Sequence, residues 1–220
     1  MDFKLINIIG VDGSGKTTLA KALVTGLQNI DPSIQYKYCQ YFAKLLYPMK
    51  LAARLSVMRR TDEFKDYDEY NRTKKSTSSR FPFLANIYAG VWLLDYIIQI
   101  FFKVSLPLFL GKKFVVDRYI FDIAVNISLT TNNAVSYADK IIAFFLKFAP
   151  KPDIVIFIEL PDEVAFARKN DIQDVAYLRE RSERYRALAR KYRFYSIDGT
   201  KTPEQMLIDT RRIIIGDAKR

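Results

Sequence analysis

Residues 10–19 read GVDGSGKTTL, and how this stretch is read decides the fold. Gly10, Gly15, Lys16 and Thr17 occupy the frame GxxxxGK(S/T), the spacing of a loop whose backbone N–H groups wrap a chain of phosphates. Gly13, Ser14 and Gly15 keep the approach to those N–H groups clear, and the helix that follows adds the positive end of its dipole. Lys16 is placed to reach the β- and γ-phosphates and Thr17 to put its hydroxyl on Mg²⁺, with Thr18 beside it in the first helical turn. Asp12 is the anomaly, a carboxylate inside an anion-binding loop. Two unit charges ~6 Å apart repel by ~0.7 kcal/mol in water and by ~3 kcal/mol at an effective dielectric of 20, so Asp12 must point away from a bound phosphate chain.

The flanks supply the context such a loop requires. FKLINII (3–9) is a short apolar run ending at glycine, a buried parallel strand, and KTTLAKALVTGLQNI is the helix behind the loop. Further along, IQYKYCQYF, KKFVVD, KPDIVIFIEL and RFYSID read as four more strands, and helical segments separate them. Before the third strand lies AKLLYPMKLAARLSVMRR, a helix broken near Pro48, then a polar loop at 61–80, then a long apolar helix. Basic helical sequence fills 168–192 and a last helix starts near Pro203. Strands alternating with helices give a three-layer α/β/α domain over a central parallel sheet of five strands, of the phosphate-binding-loop NTPase type. Residues 1–220 form this single domain, with a short lid at about 168–176.

Composition narrows the chemistry. The chain has no histidine, which excludes His-based triads, His-ligated zinc and imidazole general bases. Its one cysteine, Cys39, allows no internal disulfide and suits a reducing cytoplasm as a structural thiol. The formal charge of +11 calls for anionic partners: nucleotides, nucleic acid or an acidic membrane surface. MDFKLINIIG lacks the basic n-region of a signal peptide. FLANIYAGVWLLDYIIQIFFKVSLPLFLG (83–111) is apolar enough to suggest a membrane span, but Asp95, Gln99 and Lys103 interrupt it on one helix face, and a charge at a bilayer centre costs ~2.5–3.5 kcal/mol. The reading is a long helix buried on most sides, or packed in a dimer, and no span.

Asp117 ends an apolar strand, where a carboxylate in this architecture lies beside the nucleotide and holds Mg²⁺ directly or through water; a strand-end ion pair is the alternative. Arg118 follows at the same edge and can bind a phosphate in bidentate fashion.

GVDGSGKTT, VVDRY, KPDIVIFIELPDEVAFARK and SIDGTKTPEQ, in this order and spacing, resemble the thymidylate kinase family of nucleoside-monophosphate kinases over residues 3–215. The resemblance implies transfer of the γ-phosphoryl of ATP to dTMP with Mg²⁺, in a cytoplasmic homodimer formed through the long apolar helix. No nucleic-acid partner is expected. The carboxylate matching Asp12 hydrogen-bonds the acceptor's sugar 3′-hydroxyl, which explains its presence in the loop. Phe83 matches a base-stacking position, Tyr119 accompanies Arg118 at the acceptor, and Arg168, with Lys169 next to it, matches the lid entrance, where an arginine packs on adenine and serves catalysis. The later arginines 179, 181, 184, 186 and 190 point in several helical directions and read as mostly solvated.

Departures from the family concern the acceptor. Ile87 stands where an arginine usually reads the base, and no acceptor-phosphate arginine follows the second strand, Lys44 being the nearest cation. Relatives that phosphorylate nucleosides keep a Glu after the second strand, and none is present. A phosphate acceptor with a second pKa of about 6 needs no general base, as a chain without histidine requires. The alternatives are a kinase for another nucleotide or small phosphorylated metabolite, and a basic nucleic-acid-binding ATPase or membrane-surface protein.

Overall fold

The computed structural model describes residues 3–39, 93–130, 135–168 and 175–217. Five strands, β1 (Leu5–Gly10), β2 (Ile34–Tyr38), β3 (Lys113–Asp117), β4 (Ile154–Glu159) and β5 (Tyr195–Asp198), form one sheet in the order β2-β3-β1-β4-β5. All four pairings are parallel, with Ile8 opposite Asp117 and Ile9 opposite Phe157. β1 is buried along its whole length, as its unbroken apolar run demands of a central parallel strand.

Side chains alternate across the sheet and build two cores. On one face Ile6, Ile8, Val115, Ile156 and Ile158 meet α1 (Lys16–Gln28) and α7 (Pro203–Asp217). α1 buries Lys16, Leu19, Ala20, Leu23, Val24 and Leu27, the spacing of a single helical stripe. On the other face Leu5, Ile9, Phe114, Val116 and Phe157 meet four helices. These are α2 (93–109), α3 (Ile120–Thr130), α4 (Val135–Phe145) and α6 (Val175–Tyr192); the short α5 (Asp162–Ala167) follows β4 directly.

The helices after β1 and β3 therefore leave the sheet on opposite faces. Between two adjacent parallel strands whose chains diverge in this way a crevice opens at the carboxyl end, and ligands of open α/β sheets bind there. The phosphate-binding loop and Asp117 lie on its two sides.

α2 combines expected and unexpected features. Gln99 Nε2 donates to Asp95 at 2.6 Å and Lys103 Nζ donates to Gln99 at 3.1 Å, so the three polar residues do share one face. At Phe101–Ser105 the helix widens into a π turn. Pro107 follows, lacking an N–H and crowding the carbonyl four residues back, which is a cause for such widening. Within the chain this helix is not buried on most sides: Leu94, Ile98, Phe101, Phe102, Leu106 and Phe109 are exposed along it. No helix among the described residues is long and apolar enough to cross a membrane. Cys39 is buried and free, and burial pushes its thiol up to about 12. Three sequence expectations, the helix near Pro48, the loop 61–80 and residues 169–174 of the lid, lie outside the described residues.

Candidate active site

The loop between β1 and α1 is shaped by its glycines. Gly13 has φ +86°, and a Cβ there would come within 2.7 Å of the Ala165 carbonyl at the end of α5. Gly15 caps α1 in the left-handed conformation, no side chain caps the helix, and its first turn carries no acidic residue. The leading N–H groups of α1 are thereby left to an external anion.

Lys16 is buried, its Nζ donating to the Val11 carbonyl at 2.7 Å and lying 3.8 Å from Asp12 Oδ1. Burial pulls the Lys16 ammonium below its ordinary range, opposed chiefly by Asp12. Asp12 also takes a hydrogen bond from Arg118 Nη2. Burial alone would raise the Asp12 carboxyl, but Lys16, Arg181 and Arg118 together hold it well below the usual carboxylate range. Asp12 therefore stays ionised with its charge turned to the β3 side of the crevice, as the repulsion argument requires.

Across the crevice Thr17 Oγ1 donates to Asp117 Oδ2 at 2.5 Å, and Tyr36 OH donates to the same oxygen at 3.3 Å. Asp117 is fully buried, and its Oδ1 has no hydrogen-bond partner among the described residues. The Thr17 hydroxyl and the Asp117 carboxylate, one of whose oxygens is buried and unpaired, are two hard oxygen donors of the kind Mg²⁺ takes. Arg118 adopts φ +61°, which turns the chain sharply between β3 and α3. Asp122, in the first turn of α3, accepts from Tyr119 N at 3.2 Å and from Tyr185 OH of α6 at 2.8 Å, and burial pushes its carboxyl upward.

Comparison with curated proteins finds similarity beyond the site. The chain is 28% identical over 219 residues to "Probable thymidylate kinase 1" of Saccharolobus solfataricus, covering 96% of each protein. Along nearly its whole length the chain is similar to a protein of that name. A second relative, "Probable thymidylate kinase" of Methanothermobacter thermautotrophicus, is 37% identical over 71 residues, 31% of this chain and 37% of the relative. No protein-family model matches the chain.

Measured against the thymidylate kinase resemblance, the structure brings together Gly10, Asp12, Gly13, Ser14, Gly15, Lys16, Thr17, Asp117 and Arg118. Thr18 lies exposed on the first turn of α1. Arg168 is exposed and donates from Nη1 to the Gly199 carbonyl at 2.9 Å, tying it to the loop after β5. Tyr119 is placed elsewhere: its side chain is fully buried and its hydroxyl donates to the Pro150 carbonyl at 3.0 Å, in the loop that enters β4. Only its backbone N–H serves the turn. Lys44, Phe83, Ile87 and Lys169 lie outside the described residues.

The expectation that the arginines of α6 are mostly solvated needs correcting. Arg179 and Arg190 are exposed, but Arg181 and Arg184 are buried at 3% and 9% relative exposure. A periodicity count would have flagged Arg181, which stands three residues after Leu178 and four before Tyr185, both fully buried.

Proposed function

We propose that the chain transfers the γ-phosphoryl of Mg·ATP to dTMP, giving dTDP. The observation that carries this reading is the line Lys16, Asp12, Arg118 across the β1/β3 crevice. It sets a donor-phosphate cation and an acceptor-side carboxylate and cation within one contact of each other. In this reading the loop N–H groups and Lys16 hold the β- and γ-phosphates, Asp12 takes the sugar hydroxyl, and Arg118 neutralises charge where donor and acceptor meet. Thr17 and Asp117 would hold Mg²⁺, which would offset phosphate charge during transfer. The acceptor phosphate is itself the nucleophile and already largely ionised at pH 7, so no general base is needed.

Arg168, anchored on Gly199, serves the nucleotide's base side. Phe83, Ile87 and Lys44 contribute to the acceptor pocket, where an apolar Ile87 senses little beyond the thymine methyl. The exposed apolar stripe of α2 is the contact surface of a homodimer, and the free, buried Cys39 accords with a cytoplasmic setting.

The test is a Mg·ATP phosphorylation panel of all natural nucleoside monophosphates. dTMP should be turned over, with dUMP disfavoured by less than about a thousandfold, ~4 kcal/mol. Turnover of a different monophosphate alone would move the assignment to another acceptor. No monophosphate turnover, with ATP hydrolysis stimulated by nucleic acid and falling steeply with salt, would replace it with the nucleic-acid-binding reading.

A further inference from the structure

Arg181 lies on the inward stripe of α6, where an apolar residue is the default. Its sequence neighbour Arg179 is 60% exposed, whereas Arg181 is 3% exposed. Placing a guanidinium there costs desolvation that the solvent-facing positions two residues away, 179 and 183, avoid. The arrangement around it is specific. Nη1 donates to Tyr177 OH, the guanidinium lies 5.5 Å from the centre of the Tyr177 ring, and Nη2 is 3.5 Å from Asn126 Oδ1 on α3. α6 packs on both α3 and β1, so it reaches the crevice from the side opposite α1.

Arg181 also belongs to the electrostatic surroundings of Asp12, together with Lys16 and Arg118. Asp117 shares these surroundings through Lys16, so the five groups sum to +1, and burial pushes the carboxyl of neighbouring Asp122 upward. A phosphomonoester carries about −1.5 to −2 at neutral pH. Cations converging beside Asp12 can hold that charge. The sequence places no arginine directly after β2, where Lys44 is the nearest cation, and Arg118 supplies one guanidinium. A second planar fork allows a dianion to be held from two directions.

We infer that Arg181 is a substrate-binding residue of the acceptor site, its guanidinium taking phosphoryl oxygens of the nucleoside monophosphate together with Arg118. The inference rests on the monophosphate-kinase reading and names a residue for it. Tyr177 and Asn126 keep the fork oriented, and Asp12 is released toward the sugar as the phosphate arrives.

The experiment compares the full-length wild type with Arg181→Gln and Arg181→Lys, reading kcat, KM for ATP, KM for dTMP, and inhibition of dTMP turnover by thymidine, which has the same base and sugar without the phosphate. In Arg181→Gln the KM for dTMP should rise at least tenfold, while thymidine inhibition shifts less than twofold and the KM for ATP less than threefold. Arg181→Lys should recover part of the loss. It also carries the test if the glutamine variant fails to fold, since it keeps the charge and the buried stem and should still show a loss confined to dTMP. Equal weakening of dTMP and thymidine would make Arg181 a structural residue and overturn the inference, as would an unchanged KM for dTMP. A wild type that phosphorylates no monophosphate would overturn the functional reading itself, an outcome visible before any variant is examined.

Discussion

Two pairs of adjacent strands end at the same edge of the sheet in very different surroundings. At β1 and β3, Asp12, Lys16, Asp117 and Arg118 are buried or largely so and bound to one another. At β4 and β5, Glu159 and Asp198 face an open cleft bordered by Pro161, Arg186 and Thr200, and the contacts of Glu159 with Arg186 at 3.5 Å and of Arg179 with Glu163 at 3.7 Å lie at the surface. The difference comes from topology. The chains leaving β1 and β3 diverge to opposite faces and enclose their charges, whereas β5 is an edge strand. Carboxylates at strand ends thus acquire a chemical role only where the connections screen them from water, because the same charge is worth several times more at low effective dielectric.

Substitutions on the two sides should differ by orders of magnitude. Lys16→Ala removes the cation nearest the transferring phosphoryl group and should lower kcat/KM at least ~1,000-fold, ~4 kcal/mol, while the fold persists. A variant with undiminished turnover would remove the loop from the mechanism. Asp117→Asn should cost ~100-fold and raise the Mg²⁺ concentration needed for half-maximal rate; an unchanged Mg²⁺ dependence would deny Asp117 a metal role.

Asp12→Asn should raise the KM for dTMP ~10- to 100-fold and leave that for ATP within threefold. The same carboxylate yields a pH prediction. Its folded pKa lies below its unfolded value of about 4, so the stability it contributes is fully present above that value and is lost as pH falls through the folded pKa. The stability difference between wild type and Asp12→Asn should be flat from pH ~8 to ~5 and shrink on further acidification, measured by denaturant titration. A difference that begins to fall near neutrality would mean that Lys16, Arg118 and Arg181 do not hold the carboxylate. The smallest effect belongs to the open side. Glu159→Gln should change the kinetic constants less than twofold and stability by less than ~1 kcal/mol, the scale of an exposed ion pair. A tenfold loss there would erase the contrast.

Much of this arrangement is legible in the sequence because it depends on local pattern. Five apolar runs ending in Gly10, the residues after Tyr38, Asp117, Glu159 and Asp198 are strands by their own composition, and the loop motif states its geometry in its glycines. The polar ladder Asp95, Gln99, Lys103 follows from helical spacing alone. What the sequence hides is direction set by the third dimension. Tyr119 follows Arg118, yet the left-handed turn at Arg118 sends its side chain into the core toward Pro150. Arg181 looks like one of several helix arginines until α6 is seated on α3 and β1. The exposed stripe of α2 is apolar by composition, and only the packing shows which of its faces the chain itself leaves uncovered.

The backbone at Arg118 sets thermal endurance against catalysis. A residue with a side chain in the left-handed region costs of order 1–3 kcal/mol, which glycine largely escapes. Arg118→Gly would relieve that strain and also remove the counter-ion of Asp12, so its melting temperature should fall far less than that of Arg118→Ala, while both lose turnover alike. Glycine would be the least costly replacement at position 118. The arginine there accepts backbone strain to set a cation at the end of β3.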